Sequence, residues 1–571
     1  MKESILPPLD KKTILKPVSQ GTSINKWEYL LLGAAVASLL LSCVIISSKK
    51  YYWNDELFSY YMTSEPSLGR MLAAFHDKLN NTPLLYFLLG WGWDKLFGSA
   101  ELSLRLFSSL GMAAALLLTW ATLRRTYALW ATATGTLLVF CTSKVILNQN
   151  ADARMYGLFL ALSALAILFY DTYYRNQKLS NKQLLLNFCV HAAIIHTHLF
   201  GGFYSAAILL AFIITDRLLN IYRPKLYLSI LLSWITFVFY LPSFLIQADA
   251  GKPRTWLPKP NYLDLLSIYN IKNARFIDKY FLIGFVMIIA FFLLLQITKS
   301  KATFIRNLKI NYSELPILVI GSILILVPFA IWVISLTIKP IFYDRYMIPS
   351  SLGWVIFIAF IFSKIPPVQA GISKERTFSI ISIISLIFIC LLIIHPLSKA
   401  YSFRKQNRPG AADMTSEIGR KYASLPKVVT SAGGFLEHNF YAPDRLNYFF
   451  ILDWEAAIDP NSGNFPPQGY KHMEAWKRNF PQFFQHNVVS SEDFLSKHDR
   501  FLVLDYPDYL KKCPVDRPDN RLIFLQEKED IDCPQWVELR LLKNKNYKVT
   551  FLSNKNWYSI LLVEKLKSPN Q

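Results

Sequence analysis

The chain has 571 residues, of which 53% are hydrophobic and 15% aromatic, and its mean hydropathy is +0.27. This composition excludes an ordinary soluble protein and predicts an integral membrane protein. The net charge of +22 at pH 7 indicates basic loops beside membrane-spanning segments. The sequence shows no interleaved basic and aromatic pattern of the kind that indicates a nucleic-acid partner.

The chain starts with a polar tail, residues 1–27, which we expect on the cytoplasmic side. A hydrophobic run of about 20 residues begins near Trp27, and this length is sufficient to cross a bilayer. Because the polar segment before it is long, we interpret the run as a retained signal anchor.

An acidic pair, Asp55 and Glu56, follows this first span in the sequence WNDE. The two carboxylates can cap and charge the first turn of an interfacial helix, or they can take part in chemistry at the membrane surface. The apolar segment 83–98, PLLYFLLGWGWDKLFG, lies further along the same loop. It is short, rich in Trp and contains Asp94 and Lys95, so we predict an interfacial or re-entrant helix and no crossing.

Ten later segments are apolar and close to span length, which gives about eleven crossings in all. They lie near 105–123, 127–147, 154–173, 184–198, 200–216, 227–247, 280–297, 315–337, 345–363 and 378–397. We predict that 184–198 and 200–216 are two crossings joined by a tight turn at Gly201-Gly202, and one long helix is the alternative.

The distribution of Lys and Arg predicts the orientation of these spans. When 83–98 is not counted, the loops predicted to be cytoplasmic carry basic residues, whereas the short loops at 148–153 and 198–199 carry none. The long outer loops 48–104 and 248–279 break this pattern. Their basic residues, among them Arg254 and Lys259, are therefore candidates for binding an anion.

The last part of the chain, residues 398–571, contains no predicted span. Its β-like runs KVVTSAG, RFLVLDY, RLIFLQ and YSILLVEKL alternate with helical patterns such as KHMEAWKRNFPQFFQ, and SSED at 490–493 can cap a helix. We predict a soluble α/β domain on the outer side of the membrane. Because that side is oxidising in a bacterial envelope, Cys513 and Cys533 are a candidate disulfide.

Four polar clusters are predicted on the outer side: WNDE (53–56), NQNADAR (148–154), HTH (196–198) and YDRY (343–346). The last three also have ordinary structural interpretations. Asp152 and Arg154 can form an ion pair at a span end. His196 and His198 can form a polar turn in place of a metal pair, and Arg345 can be a snorkelling side chain. The occurrence of all four clusters on one side favours a functional site.

Transfer of a sugar from a lipid-linked phosphate is the chemistry that fits these groups. It requires a carboxylate base for the acceptor hydroxyl and cationic groups that compensate the charge of the phosphate. A lipid-linked-sugar transporter or flippase is an alternative, and a membrane scaffold that presents the C-terminal domain is another. A transporter would be expected to place ionisable residues midway along its spans, whereas here they gather at one interface.

The order of motifs resembles the bacterial membrane glycosyltransferases of family 39 and the related protein O-mannosyltransferases and lipid A aminoarabinose transferases. The resemblance covers roughly residues 28–400 and rests on WNDE, NTPLLYFLLGWGWDKLFGSAELSLRLFSSL, NQNADARMYGLFLALSALAIL, HTHLFGGF, TWLPKPNYLDLL and DRYMIPSSLG. It implies a GT-C fold, with a catalytic transmembrane domain over 28–397 that includes the outer loop and juxtamembrane helices of 48–104. It also implies an inverting reaction with a polyprenyl-phosphate-linked sugar donor, an extracytoplasmic acceptor and a site facing the periplasm from the bacterial inner membrane.

The resemblance implies roles for individual residues. Asp55 matches the general base, with Glu56 as a helper or cation ligand, and a divalent metal requirement stays open. Arg154 with Tyr156, and Arg345 with Tyr346, match the family's entries to two spans and are candidate ligands of the donor phosphate. Apart from the resemblance, Arg254 and Lys259 of the outer loop are further phosphate candidates, and Asp152, His196 and His198 are candidates for acceptor contacts. The family's usual TPPLYF reads TPLLYF here, with Leu84 in place of the second proline.

Overall fold

A computed structural model describes residues 26–176, 179–250, 257, 259–269, 275–297, 311–364, 375–405, 418, 420–458, 468–505, 536–555 and 558–566. By internal contacts the chain divides into two compact units. The first, here the transmembrane unit, comprises Met1–Lys49, Thr82–Tyr240 and Leu257–Gln406. The second, here the α/β unit, comprises Lys50–Asn81, Leu241–Trp256 and Asn407–Gln571.

Helices account for nearly all the regular structure before residue 406. In chain order they are α1 (Lys26–Ser47), α2 (Asn54–Thr63), α3 (Leu68–Phe75), α4 (Leu85–Phe97), α5 (Glu101–Arg124), α6 (Leu129–Thr142), α7 (Lys144–Asn150), α8 (Tyr156–Arg175), α9 (Asn181–Thr197), α10 (Gly201–Leu218), α11 (Pro224–Ile235), α12 (Leu241–Ala250), α13 (Tyr262–Tyr269), α14 (Lys279–Ile297), α15 (Leu315–Thr337), α16 (Ser351–Ser363) and α17 (Glu375–Lys405). Helices α2, α3 and α12 belong to the α/β unit, and the others belong to the transmembrane unit.

Among the described residues, seven helices are long and apolar enough to cross a bilayer, and nine spans result if each of two bent helix pairs counts as one. One bent pair is α6 with α7, which meet at an angle of 63°. The chain is therefore a multi-pass α-helical membrane protein, as predicted, and the total of about eleven crossings stays a prediction. Segment 83–98 forms the 13-residue helix α4, which does not meet the length criterion for a span.

The segment HAAIIHTHLFGGF forms two helices, as predicted, but the turn between them lies at 198–200, and Gly201 and Gly202 belong to the first turn of α10. Helix α9 ends at Thr197 and α10 begins at Gly201. A Cβ atom on Gly201 would lie 2.3 Å from the carbonyl oxygen of Ile194, so the return of the chain toward α9 requires a glycine there.

Helices α5 and α8 pack with their backbones in close contact. A Cβ atom on Gly157 would lie 1.9 Å from the carbonyl oxygen of Ser108, and one on Gly111 would lie 2.4 Å from the carbonyl carbon of Gly157. Small residues at such an interface allow the close van der Waals packing on which helix association in membranes depends.

Buried ion pairs join the ends of helices at one end of the transmembrane unit. Glu28, at the start of α1, accepts hydrogen bonds from Arg124 Nε (2.7 Å) and Trp120 Nε1 (2.9 Å) at the end of α5. Asp216 at the end of α10 pairs with Arg223, and Glu314 before α15 pairs with Lys364 after α16 at 2.7 Å. Each partner compensates a charge that would be costly to bury alone. Arg124, Arg223 and Lys364 lie in loops predicted to be cytoplasmic, so these basic residues have a structural role as well.

The C-terminal part of the α/β unit contains a six-stranded mixed sheet. Its strands are β1 (Lys427–Val429), β2 (Tyr448–Leu452), β3 (Val488–Ser490), β4 (Arg500–Asp505), β5 (Tyr547–Lys555) and β6 (Tyr558–Lys565), in the order β3-β2-β1-β4-β6-β5. Strands β1 to β4 are parallel to their neighbours in this set, and β6 is antiparallel to β4 and β5. The predicted α/β domain is confirmed, and the predicted strand RLIFLQ lies outside the described residues.

Five helices accompany the sheet: α18 (Ala432–Tyr441), α19 (Trp454–Ile458), α20 (Gln468–Asn479), α21 (Pro481–Phe484) and α22 (Ser491–Lys497). The predicted cap in SSED is present, because the hydroxyl of Ser490 accepts a hydrogen bond from the backbone N–H of Asp493 (3.2 Å). One core of the sheet contains Phe449, Phe494, Phe501 and Trp536.

Helix α2 is built into the α/β unit through aromatic contacts. Phe58 stacks on Trp476 with ring centroids 5.4 Å apart, and Tyr61 lies 5.3 Å from the same ring. Trp476 is fully buried. Residues 50–81 therefore belong to the same compact unit as the C-terminal domain, whereas the sequence pattern predicts that 48–104 belong to the transmembrane domain. Patterns within a segment do not show which distant surface its aromatic face covers.

Candidate active site

The carboxylates of Asp55 and Glu56 lie in the first turn of α2, and their environments differ. Glu56 is fully buried; its carboxylate accepts a hydrogen bond from the backbone N–H of Trp53 (3.4 Å) and lies 3.7 Å from Lys50 Nζ. This carboxylate caps the helix, as the structural interpretation of the sequence anticipated. Asp55 is half-buried, so its carboxylate is the more accessible of the pair.

His472 on α20 is close enough to Asp55 for an electrostatic interaction within the α/β unit. Its Nδ1 lies 2.5 Å from the backbone carbonyl oxygen of Lys78, to which it donates, and its Nε2 accepts from the side-chain amide of Gln468 (3.2 Å). Burial lowers the pKa of His472, although the hydrogen bond to Lys78 and the charge of Asp55 act in the opposite direction. The sequence KHMEAWKRNFPQFFQ predicts a helix here, and its pattern gives no signal that the histidine lies near Asp55.

One basic residue of a predicted outer loop, Lys78, and two of the C-terminal part form ion pairs inside the α/β unit. Lys78 pairs with Asp249 at 2.6 Å, and Lys471 also contacts this carboxylate at 3.3 Å. Arg478 pairs with Asp77 at 2.7 Å. These pairs support the scaffold around α2, so a position in an outer loop is not sufficient evidence that a basic residue binds an anion.

In the transmembrane unit, four predicted residues meet at one group of loops. The guanidinium of Arg345 lies 5.8 Å from the ring centres of both Tyr156 and Tyr346, and 5.0 Å from that of Tyr343. The ring of His198 lies 5.6 Å from Tyr156 and 5.2 Å from Tyr346. We refer to Arg154, Tyr156, His198, Arg345 and Tyr346 as the arginine–tyrosine cluster.

The electrostatic environment of this cluster affects the pKa of His198. His198 lies in the turn between α9 and α10, stacks on Phe159 at 5.0 Å, and its Nδ1 accepts from the backbone N–H of Phe200 (3.1 Å). Burial, together with the charges of Arg154 and Arg345, lowers the pKa of His198 to about 3. Two guanidiniums, those of Arg154 and Arg345, therefore act on the same imidazole.

Backbone contacts fix both arginines. The backbone N–H of Arg154 donates to the carbonyl oxygen of Asp152 (2.8 Å) and to the hydroxyl of Ser108 (3.1 Å). The backbone N–H of Arg345 donates to the carboxylate of Asp344 (2.7 Å), and this carboxylate also pairs with Arg275. Asp152 itself is buried.

His196 and His198 do not share a site. His196 Nε2 lies 3.0 Å from the hydroxyl of Thr236, which donates to the carbonyl oxygen of Ser233 and so accepts from His196. The pair thus forms the polar end of a helix and a turn, which was the structural alternative. In the part of the chain that the structure describes, no three His, Cys, Asp or Glu side chains form a group that could hold a metal ion.

Three further candidates are not tested by contacts. Lys259 is exposed. Arg254 lies outside the described residues, and so do both cysteines of the candidate disulfide, Cys513 and Cys533.

Comparison with known proteins establishes the fold. No protein-family model and no curated protein matches the chain. Among solved structures, the chain is similar to ArnT from Cupriavidus metallidurans in the apo state, with a TM-score of 0.54 and 13% identity over 94% of this chain and 97% of that chain. ArnT from the same organism bound to undecaprenyl phosphate gives a TM-score of 0.51 and 12% identity over 94% of this chain and 98% of that chain. The GT-C fold implied by the sequence is confirmed.

Proposed function

We propose that the chain is an inverting glycosyltransferase that moves a sugar from a polyprenyl-phosphate-linked donor to an extracytoplasmic acceptor. The observation that carries this proposal is the arginine–tyrosine cluster, in which the guanidinium of Arg345 lies 5.8 Å from the rings of Tyr156 and Tyr346, and the buried His198 contacts both rings. Support comes from the fold, because ArnT has been crystallised with undecaprenyl phosphate. The donor would be a lipid of this class. The order of the sequence motifs resembles that of the family 39 glycosyltransferases.

In the proposed reaction Asp55 is the general base. Its carboxylate takes the proton of an acceptor hydroxyl as the oxygen attacks the anomeric carbon of the donor, and the bond from that carbon to the phosphate oxygen breaks. Inversion follows from attack on the face opposite the leaving group. The half-buried position of Asp55 leaves it accessible, while Glu56 holds the first turn of α2 and Lys50 compensates its charge.

The polyprenyl phosphate departs as an anion, so the donor site needs positive charge more than an acid. Arg345 is the principal candidate, since a guanidinium can hold two phosphate oxygens at once and this one lies among the rings of three tyrosines. Arg154, Tyr156 and Tyr346 complete this site, with Arg254 and Lys259 as weaker candidates. Asp152, His196 and His198 stay candidates for acceptor contacts, although the surroundings of His198 favour a role beside the donor phosphate.

The location is also part of the proposal. We place the protein in the bacterial inner membrane, with the catalytic loops and the C-terminal domain on the periplasmic side. We assign catalysis to residues 28–397 and acceptor recognition to residues 398–571. Because α2 packs on the C-terminal domain, residues 50–81 connect the two tasks.

A lipid-linked-sugar transporter is the second candidate. A transport route needs ionisable groups partway along the spans. The ion pairs of Glu28, Asp216 and Glu314 lie at helix ends, and these carboxylates are all engaged by basic partners. This arrangement favours the enzyme.

The decisive experiment uses the full-length protein in lipid nanodiscs. It is incubated with a panel of polyprenyl-phosphate sugars and a crude envelope extract, and mass spectrometry is used to detect a glycosylated product and released polyprenyl phosphate. Formation of both in equal amounts supports transfer. If the sugar donors bind but no product forms with any acceptor fraction, and the protein instead moves the labelled lipid across a vesicle bilayer, the transporter is the correct assignment.

A further inference from the structure

The α/β unit contains an open cavity of about 600 Å³ that lies wholly within this unit. This size is in the usual range of ligand pockets, roughly 300 to 1,000 Å³. Helices α2, α18 and α21 and the loops at 445–446 and 485–487 supply the lining residues. None of the residues predicted from the sequence lines it.

One side of the cavity is aromatic. Tyr60, Tyr61 and Phe440 form a contiguous group, with ring centroids 5.3 Å apart for the two tyrosines and 4.9 Å apart for Tyr60 and Phe440. Phe483 lies 5.3 Å from Tyr61 and is 41% exposed. An exposed aromatic face of this kind can pack against the C–H face of a pyranose ring, because the face of an aromatic ring is negative and C–H groups are slightly positive.

The other side presents planar polar groups. Arg445, Gln482, Gln485 and His486 are exposed at the cavity. The structure shows no ion pair for Arg445 among the described residues, whereas the neighbouring Asp444 is engaged with Lys427 at 2.8 Å. An exposed guanidinium beside side-chain amides can bind an anionic group and the hydroxyls that flank it.

The framework behind these groups is rigid. The side-chain amide of Asn487 donates to the backbone carbonyl oxygens of Arg445 (3.1 Å), Leu446 (3.2 Å) and Tyr448 (2.6 Å), which fixes the loop that carries Arg445. The amide of Asn439 donates to the carbonyl oxygen of Phe483 (3.3 Å). The cavity is thus built by internal hydrogen bonds that do not use its exposed polar groups.

We propose that this cavity is a binding subsite for an anionic saccharide and that it holds part of the acceptor. Tyr60 and Tyr61 lie on the same helix as Asp55, five and six residues further along, which corresponds to about 8 Å of axial rise. Tyr61 is buried, whereas Tyr60 is partly exposed, so a saccharide held against the Tyr60 ring is positioned relative to the proposed base through a single short helix. The assignment to the acceptor rests on the proposed function, and the binding of a saccharide does not.

The test measures equilibrium binding to the full-length protein in nanodiscs by isothermal titration calorimetry. The probes are glucose 6-phosphate and glucuronate as anionic sugars, with methyl glucoside, inorganic phosphate and an acidic tripeptide as comparisons. The anionic sugars should bind more tightly than the neutral sugar, the phosphate or the peptide. Arg445→Ala and Phe483→Ala should each weaken this binding about tenfold or more. Both side chains are exposed, so the variants should fold.

Arg500→Ala is the matched control, because Arg500 is an exposed arginine of the same unit that pairs with Glu564 at 3.0 Å and does not line the cavity. Equal binding of inorganic phosphate and the anionic sugars, tighter binding of the peptide, or unchanged binding in Arg445→Ala and Phe483→Ala would each refute the saccharide subsite. If the wild type binds the anionic sugars but transfers no sugar from any donor, the transferase is refuted and the subsite stands, so the two proposals fail separately.

Discussion

At the scale of single residues, the acidic pair of the first outer loop separates into two roles. Glu56 is fully buried, close to Lys50 and bound to the backbone of Trp53, so its charge is used within the structure. Asp55 is half-buried, and its charge reaches His472. Two adjacent carboxylates of similar chemistry therefore have different proposed functions because a helical turn points them in different directions.

The role of Asp55 predicts a defined kinetic result. Asp55→Asn keeps the size and the hydrogen-bonding capacity at the helix start but cannot accept the proton, so transfer should fall by about 10² to 10⁴-fold with expression and folding intact. Asp493→Asn is the control, since Asp493 also lies in the first turn of a helix of the α/β unit. Wild-type turnover in Asp55→Asn would remove Asp55 from the mechanism.

Arg345 predicts an order of donor affinities. Lys supplies one point charge where Arg can hold two phosphate oxygens, so Arg345→Lys should bind donor lipid more weakly and Arg345→Ala more weakly still, by about 10- to 100-fold for the latter. Binding of a radiolabelled polyprenyl-phosphate sugar to nanodiscs measures this. The control is Arg125→Lys, which should bind donor lipid as the wild type does. Arg125 follows the C-terminal end of α5, whereas the loop from α4 joins the N-terminal end. Equal affinities in all four proteins would make Arg345 an interfacial anchor.

At the scale of secondary-structure elements, the contact of α5 with α8 is a sensitive point. Gly157→Ala should force the helices apart, because the new Cβ would lie 1.9 Å from the Ser108 carbonyl oxygen, and overpacking of this kind costs about 1–3 kcal/mol. The hydroxyl of Ser108 also holds the backbone of Arg154. We therefore expect both a lower Tm in detergent and weaker donor binding.

The control for this variant is Gly33→Ala in α1, where a Cβ atom would meet nothing within 4 Å. Alanine has the higher helix propensity, so the Tm should stay unchanged or rise slightly. If the two glycine variants shift the Tm equally, close packing between α5 and α8 does not limit stability.

His472 on α20 should make the stability of the α/β unit depend on pH. Burial lowers the pKa of this imidazole, whereas in the unfolded chain the pKa is near the ordinary value of about 6.5. The unfolded state therefore binds more protons below that pH, and the stability of the α/β unit should fall as the pH decreases from about 6.5. His472→Asn can still donate to the Lys78 carbonyl but cannot be protonated in this range.

Thermal unfolding between pH 8 and pH 5 measures this effect. The Tm of the wild type should fall more steeply with decreasing pH than that of His472→Asn. The exposed His486 provides the control, and His486→Asn should follow the wild type. Identical slopes for the wild type and His472→Asn would show that His472 does not contribute to acid sensitivity.

What the sequence can predict at this scale depends on the range of the interactions. The turn between α9 and α10, the Ser490 cap and strands β1, β4 and β6 follow from patterns within short segments, and all are present. The sequence predicts only that Tyr156, His198, Arg345 and Tyr346 lie on the same side of the membrane. It does not predict that their side chains meet. The contact of Phe58 with Trp476 and the proximity of His472 to Asp55 join distant segments, and local periodicity does not specify which distant surfaces pair.

At the scale of the whole molecule, the distribution of basic loops predicts a topology that surface labelling can test. In a variant whose six native cysteines are replaced by serine, single cysteines at exposed positions are treated with a membrane-impermeant maleimide in intact cells. Asn148→Cys and Lys421→Cys should be labelled from outside, whereas Lys182→Cys and Lys225→Cys should react only after lysis. Labelling of 148 and 182 from the same side would contradict the topology.

The grouping of residues 50–81 with the C-terminal domain has a consequence for engineering. Phe58 and Tyr61 cover the ring of Trp476, and Asp77 and Lys78 are held by Arg478 and His472. A chimera that exchanged only the C-terminal domain with that of another protein of this fold would leave these aromatic and charged surfaces without their complements. The compact unit is discontinuous in the gene, so a chimera that keeps its packing must exchange 50–81, 241–256 and 407–571 together.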